Sequence, residues 1–378
     1  MKNSSKPPSG RLPYKWNSSH PGISNFTATA VLLLLLLGWQ SNSQTLPYSE
    51  NFDSGTAAGW STLDTLGMLL GQSGSVTFPG GNTCRLEHPA IPSADYLTSV
   101  GMARMSSWAP TYTTNHFQMS VDLLNLEETL FRQEFGLNAH ARNIGPGTTE
   151  AYTFHYLPLT DILAGAHDGF TIERTFTEVY QSWMPGDYPG PFEGGFYPGG
   201  SSGQAYHLDS TKPYRLVFMG SGLRFEGRVY DLSDLSKPVC IVMCDYSAAA
   251  GGVYEFTNGS AGIQVQDIYG ANAVPEVGLY TGPCAATVDN FSVAETYSAY
   301  PGTPSVPSLS VTSVGGTNFV NWPGEVPGLW AMEQSPALDA GAVWTNVPLW
   351  LIHYDASSGL RKHAATNSPM GFYRLRKL

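Results

Sequence analysis

The stretch YRLVFMGSGLRFEGRVYDL, residues 214–232, decides the fold class of this chain. In its second half, charged residues at 224, 226 and 228 alternate with Phe225, Gly227 and Val229. Such alternation places the charged side chains on one side of a strand and the apolar ones on the other. Glycine and serine at 220–222 predict the turn of a β-hairpin. One apolar face per strand therefore predicts two antiparallel sheets packed face to face.

Two further stretches alternate in the same way, HFQMSVDLL at 116–124 and EFGLNAHAR at 134–142. In the second stretch, one face is predicted to carry the polar side chains of Glu134, Asn138, His140 and Arg142. The composition, with 41 Gly, 27 Pro, 20 Tyr, 17 Phe and 13% charged residues, is typical of a turn-rich all-β protein. Residues 247–274, which are rich in small side chains, are predicted to be a loop.

The N-terminal residues 1–43 are predicted to be a signal peptide with a long basic region. Basic residues precede the apolar run ATAVLLLLLLGW, residues 28–39, and no acidic residue occurs before Glu50. The run is shorter than the ~20 residues of a membrane-spanning helix, and small residues at 41 and 43 suit cleavage before Gln44. An uncleaved membrane anchor is the alternative. The segment predicts export to the cell envelope or the extracellular space, with no stable membrane span after cleavage.

The charge of the chain argues against nucleic acid as a partner. The formal net charge is −11, and removal of the four basic residues that precede Gln44 lowers it to −15. Such a surface repels phosphate backbones. The sequence also contains no phosphate-binding loop and no dinucleotide fingerprint, so no nucleotide is predicted as a partner.

The four cysteines, Cys84, Cys240, Cys244 and Cys284, are predicted to form disulfides, because their number is even and the chain is predicted to be exported. Three pairings are possible. Cys240 and Cys244 lie about 13 Å apart if their strand is extended, which is too far for a direct bridge. Free buried thiols are an alternative, whereas the spacing does not fit a zinc site.

Parts of the chain resemble a known family. LPYSENFDSGTAAGW at 46–60, YRLVFMGSGLRFEGRVYDLSD at 214–234 and VGLYTGPCAATVDNFSV at 277–293 resemble a concanavalin A-like, laminin-G-type jelly-roll domain of secreted bacterial proteins. The resemblance implies an all-β protein with a large antiparallel jelly-roll sandwich over residues 46–297.

A calcium site is implied by the same resemblance. In related jelly rolls, carboxylates of an opening Phe-Asp-x-Gly motif and a closing Asp-Asn-Phe motif meet on adjacent strands and can hold a structural calcium. The matching residues here are Asp53 and Asp289, and backbone carbonyls would have to complete the about six to eight oxygens that calcium needs. In the alternative, Asp53 caps a turn and Asp289 accepts hydrogen bonds from loop amides.

The segment 298–308, rich in proline, serine and glycine, is predicted to be a linker. Residues 309–378 beyond it are predicted to form a small β-sandwich module. Their sequence, W…LWAMEQSPALDAGAVWTNV…FYRLR, is similar to a short module that ends many exported bacterial proteins. This resemblance implies no chemistry for the module.

No catalytic residue is assigned from the sequence. Glycoside hydrolysis needs two carboxyl groups ~5–10 Å apart, and the Glu-x-Asp-x-x-Glu strand of laminarinase-like glucanases is absent. Glu134 is the best substitute. A lyase could instead use a histidine base, with Asn138 and Arg142 beside His140 to neutralise a uronate. In the alternative, this polar stripe is the ordinary solvent face of a half-exposed sheet.

The residues favour carbohydrate binding over catalysis. Residues 178–208 are predicted to form a long loop that carries Tyr180, Trp183 and Tyr188 amid glycine and proline. Aromatic rings stack on the C–H faces of sugars, and the amide, imidazole and guanidinium of the predicted polar face could bond sugar hydroxyls. In the alternative, these aromatic side chains only hold the loop on the sandwich.

The sequence therefore predicts an exported, non-catalytic carbohydrate- or surface-binding protein whose partner is a glycan or another cell-surface polymer. One alternative is a polysaccharide-active enzyme on the same fold, either a glycoside hydrolase or a lyase. The other is a structural or adhesive protein of the cell envelope.

Overall fold

The structure is a computed structural model, and it describes most of the chain beyond residue 45. The described residues are 46–64, 73–88, 102–112, 116–127, 133–145, 149–157, 169–175, 206–246, 259–268, 284–295, 297, 306–365 and 371–378. They belong to one compact unit. The predicted signal peptide and most of the predicted aromatic loop lie outside the described residues.

The described residues form antiparallel strands, with two short 3-10 turns at Pro79–Gly81 and Leu349–Leu351. The strands are β1 Tyr48–Glu50, β2 Ser61–Asp64, β3 Ser75–Thr77, β4 Cys84–His88, β5 Met102–Tyr112, β6 His116–Glu127, β7 Gln133–Arg142, β8 Glu150–Leu157, β9 Gly169–Thr175, β10 Tyr214–Ser221, β11 Arg224–Asp231, β12 Cys240–Asp245, β13 Gly259–Ile268, β14 Cys284–Ala294, β15 Ser310–Val314, β16 Thr317–Pro323, β17 Trp330–Ser335, β18 Thr345–Asn346, β19 Ile352–Asp355, β20 Leu360–Ala364 and β21 Phe372–Lys377.

Two large sheets form the jelly-roll sandwich. The first sheet has eight strands in the order β12-β11-β10-β6-β14-β4-β3, with β1 paired to β14. The second sheet has six strands in the order β2-β5-β13-β7-β8-β9. Side chains of both sheets share one buried apolar core. The prediction of an all-β protein with a large antiparallel jelly-roll sandwich is therefore confirmed.

The hairpin that decided the fold class forms as predicted, with a small shift of its turn. Leu216 lies opposite Val229 across β10 and β11, and both are in the core. The paired register runs to Ser221 opposite Arg224, so Gly222 and Leu223 make the turn instead of residues 220–222. Gly222 has φ 59°, a left-handed conformation that glycine adopts without steric cost.

Glycine allows the two sheets to approach closely. A Cβ atom on Gly227 of β11 would lie 2.3 Å from the ring of Phe154 in β8. That distance is shorter than any van der Waals contact, so only glycine leaves room for this ring. Aromatic rings then fill the gap between the sheets, as in the contact of Phe154 with Phe218 at 5.8 Å between centroids.

A bulge explains the Asp-Asn pair in the closing strand β14. Val288 and Phe291 both reach the core, although strict alternation would place them on opposite faces. The register shifts between Asp289 and Ser292, and Asn290 has φ 50°. Asparagine tolerates this left-handed conformation better than most residues. The extra residue of the bulge therefore returns Phe291 to the core.

The prediction of a loop over residues 247–274 is wrong for its central part. Gly259–Ile268 is β13, an interior strand of the second sheet that pairs with both β5 and β7. Small residues suit this position because the neighbours lie close. A Cβ atom on Gly262 would be 2.4 Å from the ring of Trp108. Tertiary packing thus overrides the turn-like composition of the segment.

The C-terminal strands form the predicted small β-sandwich. The third sheet has the order β15-β16-β20-β19 and the fourth has the order β18-β17-β21. Trp322 of β16 and Met332 of β17 share a buried cluster, so these two sheets have a common core. Ile241 and Met243, on the outer face of β12, belong to the same cluster. The predicted domain boundary near the linker stays a prediction.

Buried charges join the first sheet to the C-terminal strands. Glu226 of β11 accepts hydrogen bonds from Arg228 at 2.6 Å and from Arg361 of β20 at 2.6 and 2.8 Å. Glu325 accepts a bond from Arg228 at 3.3 Å and one from the hydroxyl of Tyr230. We call these five residues the interface cluster; each is at most 5% exposed. A buried charge is tolerated only when it is paired in this way.

The predicted disulfides are absent: none of the four buried cysteines is bridged to another. Cys84, Cys240, Cys244 and Cys284 lie within the apolar core between the two large sheets. Burial raises the pKa of Cys84 and of Cys240 to about 12, with a further contribution from Glu50 at Cys84. The cysteines therefore serve as small apolar core residues.

Candidate functional site

The outer side of the second sheet is lined by buried polar side chains, which we call the polar face. They are Ser106, Trp108, Asn138, Thr153, His155, Thr171 and Gln264, and each is at most 3% exposed. Alternate residues on the same strands, such as Leu137 and Ile263, lie in the core, so the polar side chains point away from the first sheet.

The strand register arranges these side chains in two rows across the sheet. In one row Gln264 lies between Ser106 and Gly136, and His155 lies between Gly136 and Thr171. In the neighbouring row, Trp108, Gly262, Asn138 and Thr153 lie side by side. The face therefore combines hydroxyls, amides, an imidazole and an indole within the area of a few strands.

A chain of hydrogen bonds fixes the middle of the polar face. The Thr153 hydroxyl donates to Asn138 Oδ1 at 2.8 Å. Asn138 Nδ2 donates to Gln264 Oε1 at 2.9 Å. Both amides therefore have a fixed orientation, and Gln264 Nε2 is left at the end of the chain as a donor.

Four polar atoms of the face are buried without a hydrogen-bond partner. They are Ser106 Oγ, Trp108 Nε1, Thr171 Oγ1 and Gln264 Nε2. A buried polar group without a partner costs about 1–3 kcal/mol, and folded proteins contain few of them. Four on one face of one sheet indicate hydrogen-bonding capacity that the described part of the protein does not use.

The indole of Trp108 lies flat against the sheet. Its ring covers Gly262, where a Cβ atom would be 2.4 Å from Cε3. Leu63, Ala141 and Ala151 pack around the same ring. The ring therefore has a fixed position at one end of the polar face, with its N–H group among the unpaired atoms.

The structure separates the three predicted binding residues of β7. Asn138 lies on the polar face as predicted. His140 does not, because its ring packs in the core against Phe117, with centroids 4.9 Å apart, and Tyr152, at 6.3 Å. Its φ of 53° lies within a bulge that interrupts the pairing with β8 between Ala139 and Arg142. The prediction that His140 shares a face with Asn138 is wrong for this reason.

Arg142 lies beyond the bulge and is held by an ion pair. Its Nε donates to Glu150 Oε2 at 2.5 Å, and its side chain is 34% exposed. The described structure therefore gives Arg142 a carboxylate partner on the neighbouring strand. Its predicted role in glycan binding stays a prediction, as does that of Asn138 and His140.

The aromatic residues of the predicted loop, Tyr180, Trp183 and Tyr188, lie outside the described residues. Sequence reasoning also missed most of the polar face. The stretch EAYTFHYL at 150–157 alternates Thr153 and His155 with core aromatic residues, and this signal could have found both. Gln264 was missed because its strand was predicted to be a loop.

Of the carboxylates predicted to bind calcium, Asp53 follows β1, and Asp289 lies at the bulge in the middle of β14. Asp53 accepts a hydrogen bond from Asn51 Nδ2 at 2.5 Å, and Asp289 accepts one from the Asn290 amide at 2.7 Å. The pKa of Asp289 is raised, first by burial and then by the negative charges of Asp122 and Asp53. Such crowding of carboxylates fits a cation. The described residues nevertheless contain no cluster of three or more acidic, histidine or cysteine ligands, so backbone oxygens would have to complete the coordination.

Comparison with known proteins gives no identity for the chain. No protein-family model matches it, and no curated protein sequence matches it. Among the described residues, no helix has the length and hydropathy to cross a membrane.

Several solved structures are similar in part. A Bacillus subtilis protein of unknown function with a galectin-like fold is 14% identical, with 66% of this chain and 94% of that chain covered and a TM-score of 0.39. A carbohydrate-binding module from Bacillus subtilis is 14% identical over 62% of this chain and 95% of its own, with a TM-score of 0.33. A Bacillus licheniformis beta-glucanase is 11% identical over 68% and 99%, with a TM-score of 0.36. At TM-scores below 0.5, these likenesses carry no argument about the site or its function.

Proposed function

We propose that this protein is an exported, non-catalytic glycan-binding protein and that the polar face holds the glycan. The observation that carries the proposal is the set of four buried polar atoms without partners on one side of the second sheet. A ligand rich in hydroxyl groups would complete these hydrogen bonds, because a sugar hydroxyl both donates and accepts. Since the side chains are at most 3% exposed, the ligand would have to displace what covers the face.

The chemistry of the face supports a sugar more than other ligand classes. Ser106 and Thr171 offer hydroxyls, and Gln264 offers an amide whose orientation is fixed. The net charge of −11 disfavours polyanions such as nucleic acids.

The test is binding of the purified protein to a glycan array and to insoluble polysaccharides, combined with three variants. Ser106→Ala and Thr171→Val each remove one unpaired polar atom and keep the packing nearly unchanged, whereas Trp108→Phe removes the indole N–H together with part of the ring. We expect each to weaken retention by about tenfold, which corresponds to one lost hydrogen bond of about 1.4 kcal/mol. Ser310→Ala, at an exposed position of β15, is the matched control.

The outcomes separate the alternatives. Retention that none of the three variants changes would place the binding site elsewhere, and Trp183→Ala then tests the predicted aromatic loop. Release of sugar from the same polysaccharides would show an enzyme instead. Failure to bind any glycan would reject the proposal and leave a structural protein of the cell envelope.

Export is tested separately. Expression of the full chain with its N-terminal segment should deliver protein that begins at Gln44, as read by N-terminal sequencing of the exported material. Retention of residues 1–43 on the product would reject cleavage and support a membrane anchor.

A further inference from the structure

The opposite side of the sandwich also carries a polar cavity. It lies on the outer face of the first sheet, has a volume of about 550 Å³, and is lined chiefly by Ser49, Glu50, Ser120, Arg215, Asn290 and Ser292. The interface cluster lies farther across the same face, on β11. The cavity and the polar face share no strand, because the cavity lies on the first sheet and the polar face on the second.

Three serines on neighbouring strands form the floor of the cavity. Ser49 of β1 pairs with Ser292 of β14, which pairs with Ser120 of β6. The hydroxyls of Ser120 and Ser292 are 2.9 Å apart and hydrogen-bonded. Because serine side chains are short, these three adjacent positions leave the space that forms the cavity.

The wall of the cavity is held rigid by hydrogen bonds. Arg215 donates to both oxygens of Asp122, at 2.6 and 2.8 Å, and Asn290 Nδ2 donates to Asp122 Oδ2 at 2.9 Å. Glu50 Oε1 accepts a bond from the amide of Phe52 at 2.9 Å. Groups that are fixed before binding lose little conformational entropy when a ligand arrives.

The charges around the cavity select against anionic ligands. Asp122 and Glu50 are carboxylates of the wall or its support, and Asp289 lies close enough to Asp122 and Asp53 for their negative charges to raise its pKa. Among the described residues that line the cavity, Arg215 is the one cation. A uronate or a phosphate would meet repulsion here, whereas uncharged hydroxyls would find both donors and acceptors.

We propose that this cavity is a second saccharide site, specific for a neutral, hydroxyl-rich sugar. Together with the polar face, on which this part rests through the proposed function, it makes the protein bivalent on opposite sides of one sandwich. A protein of this kind links two glycan chains instead of coating one.

The test is isothermal titration of the purified protein with four neutral oligosaccharides: cellohexaose, maltohexaose, xylohexaose and N-acetylchitohexaose. Ser49→Tyr and Asn51→Tyr each place a bulky ring in the cavity, because both residues line it and both are exposed. Ser310→Tyr on β15 is the control for an added tyrosine. Circular dichroism establishes that each variant is folded before titration.

We expect the wild-type protein to bind two equivalents of at least one of these sugars, and both cavity-filling variants to bind one. Trp108→Phe should weaken only the other equivalent, by about tenfold. Unchanged binding in Ser49→Tyr and Asn51→Tyr would overturn the second site and leave the proposed function standing. Unchanged binding in Trp108→Phe, together with loss of binding in the cavity variants, would overturn the glycan site on the polar face and leave the second site standing. Binding of trigalacturonic acid that Ser49→Tyr abolishes would overturn the neutral specificity, and no binding of any sugar would overturn both proposals.

Discussion

Both outer faces of the sandwich contain buried polar side chains, but the two faces satisfy them differently. On the first sheet, the carboxylates of Glu226 and Glu325 receive hydrogen bonds from Arg228, Arg361 and Tyr230. The partner surface comes from the C-terminal strands of the same chain. On the second sheet, neutral side chains bond one another only in part, and four polar atoms are left without a partner, against one such atom, Arg361 Nε, in the interface cluster.

The difference distinguishes a structural interface from a candidate binding face. A face that is permanently covered by its own chain gains stability by pairing its charges, because an unpaired buried charge is very costly. A face that binds an external ligand must keep hydrogen-bonding groups for that ligand, at some loss of stability in its absence. Three experiments test this distinction, and a fourth tests the predicted cation site.

The largest effect is expected from breaking the interface cluster. Arg361→Ala leaves the buried Glu226 without its bidentate partner, so we expect the free energy of unfolding to fall by about 3–5 kcal/mol in urea denaturation. Arg374→Ala is the matched control, because it removes an arginine–glutamate pair whose arginine is 48% exposed. That change should cost less than about 1 kcal/mol. Equal losses in the two variants would show that the cluster is no more than a surface ion pair.

The same cluster should make the protein sensitive to acid. Burial alone would raise the pKa of Glu226, but the positive charges of Arg361 and Arg228 outweigh it and lower the pKa from 4.5 to about 2. A lowered pKa stabilises the folded protein above the unfolded value and loses this contribution as the pH falls. We therefore expect the free energy of unfolding to decline between about pH 4.5 and pH 2.

Glu226→Gln isolates this contribution. The variant is less stable at pH 7, but the part of the acid dependence that comes from residue 226 should disappear. Unfolding curves at several pH values measure both slopes. An identical acid dependence in the variant and the wild type would assign the effect to other carboxylates.

A cation is the third test, because carboxylates crowd together where the segment that follows β1 lies beside the bulge of β14. If Asp53 and Asp289 bind calcium, calcium at about a hundred times its Kd should raise the free energy of unfolding by about 2.7 kcal/mol. A chelator should remove the gain, and Asp289→Asn should abolish it. Glu127→Gln, which alters an exposed carboxylate paired with Arg85, is the control. Equal melting temperatures with calcium and with chelator would reject the site.

The smallest effect has the opposite sign. Ser106→Ala and Thr171→Val remove buried hydroxyls that have no partner, so we expect each to raise the free energy of unfolding by about 1 kcal/mol while glycan binding declines. A loss of stability in both variants would show that these hydroxyls are already satisfied, for instance by buried water. The contrast with Arg361→Ala is then the direct measure of how the two faces differ.

Alternation in the sequence predicted the strands of the first sheet well. HFQMSVDLL became β6, with Phe117, Met119, Val121 and Leu123 in the core as expected. The prediction succeeds because successive side chains of a regular strand point to opposite faces of the sheet.

Alternation predicted the wrong side of the sheet where a strand contains a bulge. One added residue moves the side chains that follow it to the other side of the sheet, and the sequence around His140 carries no marker of such a residue. The bulge at Asn290 is better marked, since asparagine is a residue that favours positive φ. The polar face was found only through Asn138, because Gln264 belongs to a strand whose glycines and alanines resemble a loop.

The four free thiols have a consequence for how the protein matures. In the folded chain the raised pKa values keep Cys84 and Cys240 protonated, and the thiolate is the form that reacts with oxidants. The unfolded chain has no such protection. In an oxidising compartment, disulfide formation therefore competes with folding. The yield of native protein then depends on how quickly the core closes. Slow folding should produce mispaired, covalently trapped chains, whereas the finished protein should outlast the same oxidant unchanged.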